Sequence, residues 1–391
     1  MKAKRETLAR LMIEKQWLNK NIIDPTKQDV YNTIDNLGCL QIDTISVIER
    51  AHYLTLWSRL GNYEKSYLDA LAYTDRKLFE YWAHAACYIP MEHYRYYIPA
   101  MKTREKEVIP RLEKRTGQGK ELVDHVIKRI KDEGPLSSKD FDSKKKGKGG
   151  WWNRKNEKVA MDYLFSAGIL AISERVNFQR YYDLTENVIP DRVDKEPPEK
   201  EERIKFYFEK TMKCLGAILP KDAREYYQHQ RTRIKMTPPK IEEWLQKQDN
   251  VESIELDGES RPYYCLEEDR TRLEEIDDDF DFDDVQLMIY FDNFMWNRDR
   301  IQRLFGFESK LEIYIPVDQR VYGYYHLPVI YGDKIVARIE PKMNRKEEQL
   351  IIRGYWTEPG FKETEHYRDR LEKNLEDFAA FHGAKTIEWL C

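Results

Sequence analysis

Near residue 311 the spacing of apolar side chains in this 391-residue chain changes period. Upstream they recur mostly three and four apart, the spacing of one helix face, with short alternating runs between. Downstream they alternate, the spacing of one strand face. Helices first and a block of strands last describe an α+β protein, and the length suggests about two to four structural units.

Helical spacing begins with Leu8, Leu11, Met12 and Trp17. DPTKQDVYNTIDNLG then reads as a helix with Asp24 as N-cap, Pro25 at its first position and Gly38 at its end. CLQIDTI alternates like a strand, and VIERAHYLTLWSRLG returns to helical spacing. TDRKLFEYWAHAACYIPMEHYRYYIPAM is expected to start as a capped helix at Thr74 and to continue through an aromatic turn into a helix near Pro90. Two more helices are expected over 101–133, and a helix start at Ser137 or Ser138. A basic loop SKKKGKGG, a long helix broken at Gly168 and a strand pair in ILAISERVNFQRYYDL follow. Helix, loop, helix, strand, strand is the order of a winged helix-turn-helix. Three helices over 201–248 and the hairpin SIELDGESRPYYCL, turning at Asp257-Gly258, repeat that plan. KLEIYIPV, VYGYYHLPVIYGD, KIVARIEPKM and EEQLIIRGYW suggest a small antiparallel barrel or curled sheet, closed by a helix from Thr364 to His382. The expected fold is therefore tandem winged helix-turn-helix domains followed by a small antiparallel β-barrel. Its expected boundaries are 1–120, 121–195, 196–285 and 286–391.

A charged fraction of 35% against 41% hydrophobic and 13% aromatic residues fits a globular chain with a charge-dense surface. No apolar run approaches the roughly 18 residues of a membrane span, and the N-terminus lacks a signal-peptide centre, so a soluble cytoplasmic monomer is expected. The five cysteines are scattered without CxxC spacing, which fits reduced thiols and argues against a zinc site. Net charge is −4, but it segregates: residues 101–158 hold 18 Lys/Arg against 10 Asp/Glu, and 251–284 hold 3 against 15. Segregated charge can build a basic face on a near-neutral protein. Walker A, GxGxxG, GxSxG and HExxH motifs are absent from the sequence.

GCLQIDTI followed by ERAHYLTLWSRLG, then EYWAHAACYIP, GPLSSKDF, EKVAMDYLFSAGIL, NFQRYYDL and FDNFMWNRDRIQRLFGF leading into EIYIPVDQRVYGYYHLPVIYGD occur here in one order. With these segments the chain resembles the AlkZ/YcaQ-like DNA glycosylases, tandem winged-helix proteins with a β-barrel. The resemblance implies removal of N-alkylated purines, particularly N7 adducts of guanine, and in some members the unhooking of interstrand crosslinks. It also implies that Gln41 and Asp43, on the Gln-x-Asp branch, are catalytic, that duplex DNA is the partner, and that no cofactor or metal is needed. Members commonly carry Pro where this chain has Tyr290, and they tend to be more basic.

In a strand, Gln41 and Asp43 would share one face while Leu40 and Ile42 share the other. A carboxylate beside a sugar can stabilise an oxocarbenium-like centre and orient or deprotonate water. Asp43 suits that role, and Gln41, which cannot act as acid or base, suits orientation. An N7-alkylguanine already carries positive charge and leaves as a neutral base, so no second acid is required. Without the resemblance, the pair reads more readily as the exposed face of an amphipathic strand. Phosphate contacts are expected from Arg50, His52 and Arg59 after the motif, from the loop lysines Lys144, Lys145, Lys146 and Lys148, and from Lys155, Arg175 and Arg180. Trp82, His84 and Tyr88 read as core more readily than as a base-stacking shelf. Two other functions fit the same elements: a non-enzymatic winged-helix regulator bound to DNA, and a protein-interaction module without DNA.

Overall fold

The computed structural model describes residues 1–141, 150–226 and 229–391, and within them the side chains of 150–155 and 229–230 lie outside the description. The protein is α+β and divides into two units. The first comprises Met1–Tyr67, Tyr207–His229 and Lys235–Cys391, and the second comprises Leu68–Phe206 and Gln230–Ile234.

In the first unit the helix Arg5–Lys15 buries Leu8, Leu11, Met12 and Ile13 against the helices Arg270–Asp279 and Arg298–Phe305. The next helix, Lys27–Leu37, begins two residues later than expected. Thr26 is its N-cap: its hydroxyl accepts from the Asp29 N–H, and the Asp29 carboxylate accepts the Thr26 N–H at 2.9 Å. Asp24 instead takes a left-handed turn at φ 49°, which short polar side chains tolerate. The reciprocal pair leaves the start no freedom to slide. Gly38, at φ 74°, ends the helix in the left-handed conformation as its sequence position suggests. The hairpin Val251–Leu256 and Tyr263–Leu266 forms with Gly258 at φ 85°, and the N-terminal strand Lys2–Ala3 adds to it in parallel.

The strand block is a five-stranded sheet in the order Thr386–Trp389, Gln349–Thr357, Lys334–Asn344, Leu327–Tyr331, Val285–Leu287. Its three inner strands run antiparallel, Val285–Leu287 pairs antiparallel at one edge, and Thr386–Trp389 pairs parallel at the other. The helix Glu365–Phe381, capped by Thr364, buries Tyr367, Leu371, Leu375 and Phe378. KLEIYIPV is no strand. Glu312 points into the protein and Tyr314 out of it, so the residues that looked like one apolar face serve a loop.

The second unit corrects another expectation. Residues Leu78–Trp82 and Ala86–Pro90, expected as helix and turn, pair as an antiparallel hairpin with Leu78 opposite Pro90 and Trp82 opposite Ala86. Both strands are almost wholly buried, so the alternation that marks a half-exposed strand is missing from them. Helices Tyr94–Glu105, Val108–Thr116 and Lys120–Glu133 follow. Ser137 opens a turn rather than a helix, with the Asp140 carboxylate accepting both its N–H and its hydroxyl at 2.7 Å. The helix Gly150–Ser166 then leads through Gly168 to the hairpin Leu170–Val176 and Gln179–Leu184. Asn177 and Phe178, both left-handed, make its two-residue turn.

Candidate active site around Asp43

The strand carrying the motif is only Leu40–Gln41. Cys39 and Leu40 are buried, Gln41 is 8% exposed and Ile42 is buried. Asp43 lies past the strand, in a turn of its own making, where its Oδ1 accepts the Ile45 N–H at 2.8 Å. The shared strand face expected for Gln41 and Asp43 therefore does not form; the turn re-aims the carboxylate. Asp43 is half-buried, and among the described residues its carboxylate has no other hydrogen bond and no ion pair. A carboxylate with one oxygen pinned and the other uncommitted can accept a proton or face a cationic centre.

The backbone leading into this turn is held from far along the chain. Asn293, buried, donates through Nδ2 to the Cys39 carbonyl at 2.9 Å, and the Tyr226 hydroxyl donates to the Leu37 carbonyl at 3.0 Å. The preceding residue, Asp292, receives both ends of the Arg59 guanidinium at 2.7 and 2.8 Å. Adjacent residues of FDNF thus hold the chain before the motif and the helix Ala51–Leu60 after it. In sequence, FDNFMW carries part of the family resemblance and no local sign of this clamp.

Arg59 is consequently not a phosphate contact. It is 2% exposed, and besides Asp292 it donates to the Gln16 carbonyl, the Gln16 side chain, the Thr55 carbonyl and the Ser58 hydroxyl. His52 is 1% exposed with its ring against Tyr53, and it too is closed to DNA. In the second unit Arg175 turns inward and forks onto Glu80 at 2.7 and 2.6 Å; despite burial, that carboxylate raises its pKa. Sequence does not separate these three side chains from surface groups, because a buried Arg or His looks the same in it as an exposed one. Arg50, half-buried at the N-cap position of Ala51–Leu60, and Arg180, half-buried over the Trp82 and Phe165 rings, stay near the surface. Tyr88 is core, its hydroxyl 3.0 Å from that of Tyr73. Lys144, Lys145, Lys146 and Lys148 lie outside the described residues, as does the side chain of Lys155.

Tyr325 and His326 lie just before the strand Leu327–Tyr331. Tyr325 is 1% exposed, and burial followed by the charge of Asp43 pushes its pKa up. The next residue, His326, is fully buried with Nε2 2.6 Å from the Tyr290 hydroxyl; burial and the charge of Arg338 lower its pKa to about 4, so the ring is neutral.

A family model described as DNA glycosylase AlkZ-like matches residues 34–381 of the chain. Among solved structures, the chain is similar to the Streptomyces sahachiroi DNA glycosylase AlkZ, with a TM-score of 0.64 over 100% of this chain and 99% of that one. At 15% identity the likeness is one of fold.

Proposed function

The chain belongs to the AlkZ-like DNA glycosylase family, and we propose that it hydrolyses the N-glycosidic bond of N7-substituted purines in duplex DNA, including purines joined in interstrand crosslinks. The observation that carries this reading is the Asp43 carboxylate, pinned at one oxygen by its own turn and free of any cation among the described residues. Such a group can meet the positive charge that develops on the sugar as the bond to the base lengthens, and can take a proton from the incoming water. Gln41, one residue before Ile42 and buried, orients water or sugar through its amide.

The reaction proposed is monofunctional. The electron pair of the C1′–N9 bond leaves with the base and neutralises its charge, water oxygen bonds to C1′, and the released proton passes to Asp43. A cationic base needs no acid to leave, which suits a site with one carboxylate. A crosslinked base cannot rotate freely out of the duplex, so a half-exposed carboxylate suits it better than a closed pocket. The reading includes the wider architecture: 1–120, 121–195 and 196–285 as successive winged-helix units and 286–391 as a barrel-like sheet with its closing helix, in a protein acting as a monomer. The hairpin turn at Asn177-Phe178 after the helix Gly150–Ser166 supports the wing of the second segment. Arg50, Arg180 and the lysines Lys144, Lys145, Lys146, Lys148 and Lys155 are proposed to meet phosphates.

The test is release of free base from duplex DNA containing N7-methylguanine. Wild type is expected to release it, and Asp43→Asn to do so about 100-fold or more slowly, the usual range for a lost acid-base group. No release by wild type, or equal release by Asp43→Asn, overturns the assignment. Sequence-specific duplex binding indifferent to Asp43→Asn would instead indicate a regulator.

A further inference from the structure

In the second unit three arginines gather around one aromatic ring. The Arg231 guanidinium carbon lies 4.7 Å from the centre of the Trp82 ring, and that of Arg180 lies 5.9 Å from it. Arg104 donates to the Arg231 carbonyl at 2.7 Å and to the Tyr81 hydroxyl at 3.0 Å. All three side chains are half-buried, and among the described residues none of them has an ion pair. Other arginines of the same unit are paired: Arg175 forks onto Glu80, and Arg233, two residues after Arg231, meets Glu107 at 3.2 Å. The Asp162 carboxylate accepts the Tyr182 hydroxyl at 3.3 Å and makes no ion pair with the three.

The ring beneath them is fixed. Trp82 donates its indole N–H to the Ser166 hydroxyl at 3.1 Å, and that hydroxyl donates to the Asp162 carbonyl at 2.8 Å. The Tyr81 hydroxyl donates to the Ser166 carbonyl at 2.5 Å while it accepts from Arg104. Phe165 packs edge-on against Trp82 at 6.2 Å. A guanidinium held over a ring keeps its N–H edge for a second partner. Burial, and then the charge of Arg104, lower the Arg231 pKa. Arginine nevertheless keeps its proton, so the clustered charge persists and is best relieved by an anion.

We propose that Arg180 and Arg231, seated on Trp82 and steadied by Arg104, form a phosphodiester-binding site for the backbone of duplex DNA, independent of any lesion. A planar guanidinium forks onto two phosphate oxygens, and one already held in place loses little freedom in doing so. Phosphate contacts set register and carry no sequence information, so the site holds damaged and undamaged duplex alike. Trp82 then serves as a platform for arginines and not as a shelf for bases. This assignment rests on duplex DNA being the partner, and not on the chemistry at Asp43.

The experiment compares wild type, Arg231→Gln and the double variant Arg180→Gln/Arg231→Gln in binding of an undamaged duplex over a range of NaCl concentrations, and in thermal unfolding. Each lost contact is expected to weaken binding by about threefold to tenfold at low salt and to flatten the slope of log affinity against log salt by about one. The melting temperature should be unchanged or higher, because a repulsion is removed. Arg231→Lys, which keeps the charge without the fork, should restore the slope and part of the affinity. Unchanged affinity and slope in the Gln variants overturn the proposal, and so does weaker binding that only accompanies a lower melting temperature or a failure to fold. Thermal stabilisation of wild type by inorganic phosphate, with duplex affinity unchanged in the variants, would mark a small-anion site and overturn it too. Wild type that does not bind duplex is a separate outcome, which overturns DNA as the partner.

Discussion

Arg59 and Asp292 show how much of the surroundings of the Gln41–Asp43 segment is framework. Both side chains are shielded from water, and the two-pronged contact between them is supplemented by donations from Arg59 to Gln16, Thr55 and Ser58 and by the Phe294 N–H to Asp292. A buried pair adds little over a well-packed apolar pair, but removing one partner strands the other charge. Asp292→Ala is accordingly expected to lower unfolding free energy by about 3–5 kcal/mol in urea titrations. A loss under about 1 kcal/mol would show that water reaches Arg59. The sequence made Gln41 and Asp43 visible because their signal is local, a polar pair in an apolar run. Asn293 lies 254 residues from the carbonyl it holds, so no local pattern could reveal that clamp.

Elements were legible where punctuation was strong. Gly38 ends its helix, Asp257-Gly258 turns its hairpin, and Thr364 starts the closing helix, all by local conformational preference. They failed where burial on both faces or an inward carboxylate overrode the period, as in Leu78–Trp82 and in the loop that Glu312 organises. That loop yields its own prediction. Gly323→Ala must hold a Cβ at φ 87° and displace the Glu340 carboxyl group, so a destabilisation of at least about 1 kcal/mol is expected. Because the same carboxylate holds the Tyr324 N–H, the loss should appear in urea unfolding as a lower midpoint. An unchanged midpoint would show that the Glu340 side chain moves aside at no cost.

At the level of the whole molecule, Met1–Tyr67 shares a unit with the segment from Lys235 to the C-terminus, an association that composition and period do not encode. Stability as a function of pH is a property of this whole, and two buried histidines contribute to its acid limb. Burial and Arg338 lower His326 to about 4, with Glu312 opposing; burial, Lys65 and Arg345 lower His382 to about 3, with Glu49 opposing. Both are depressed below the ordinary 6.5, so the unfolded chain binds their protons first. The stability they confer is complete above about pH 6.5 and drains away as pH falls toward 4, at about 1.4 kcal/mol per pH unit for each fully titrating ring. Carboxylates begin to contribute only lower, near their own range, so the decline should start well before them. For His326 alone the loss between pH 7 and pH 5 is about 2 kcal/mol. His326→Gln, which can still reach the Tyr290 hydroxyl, is expected to be weaker at pH 7 yet to lose about that much less on acidification, read by urea unfolding at both pH values. Parallel losses in wild type and variant would mean that His326 is already charged in the folded protein, and that its pairing with Tyr290 is not that of a neutral ring.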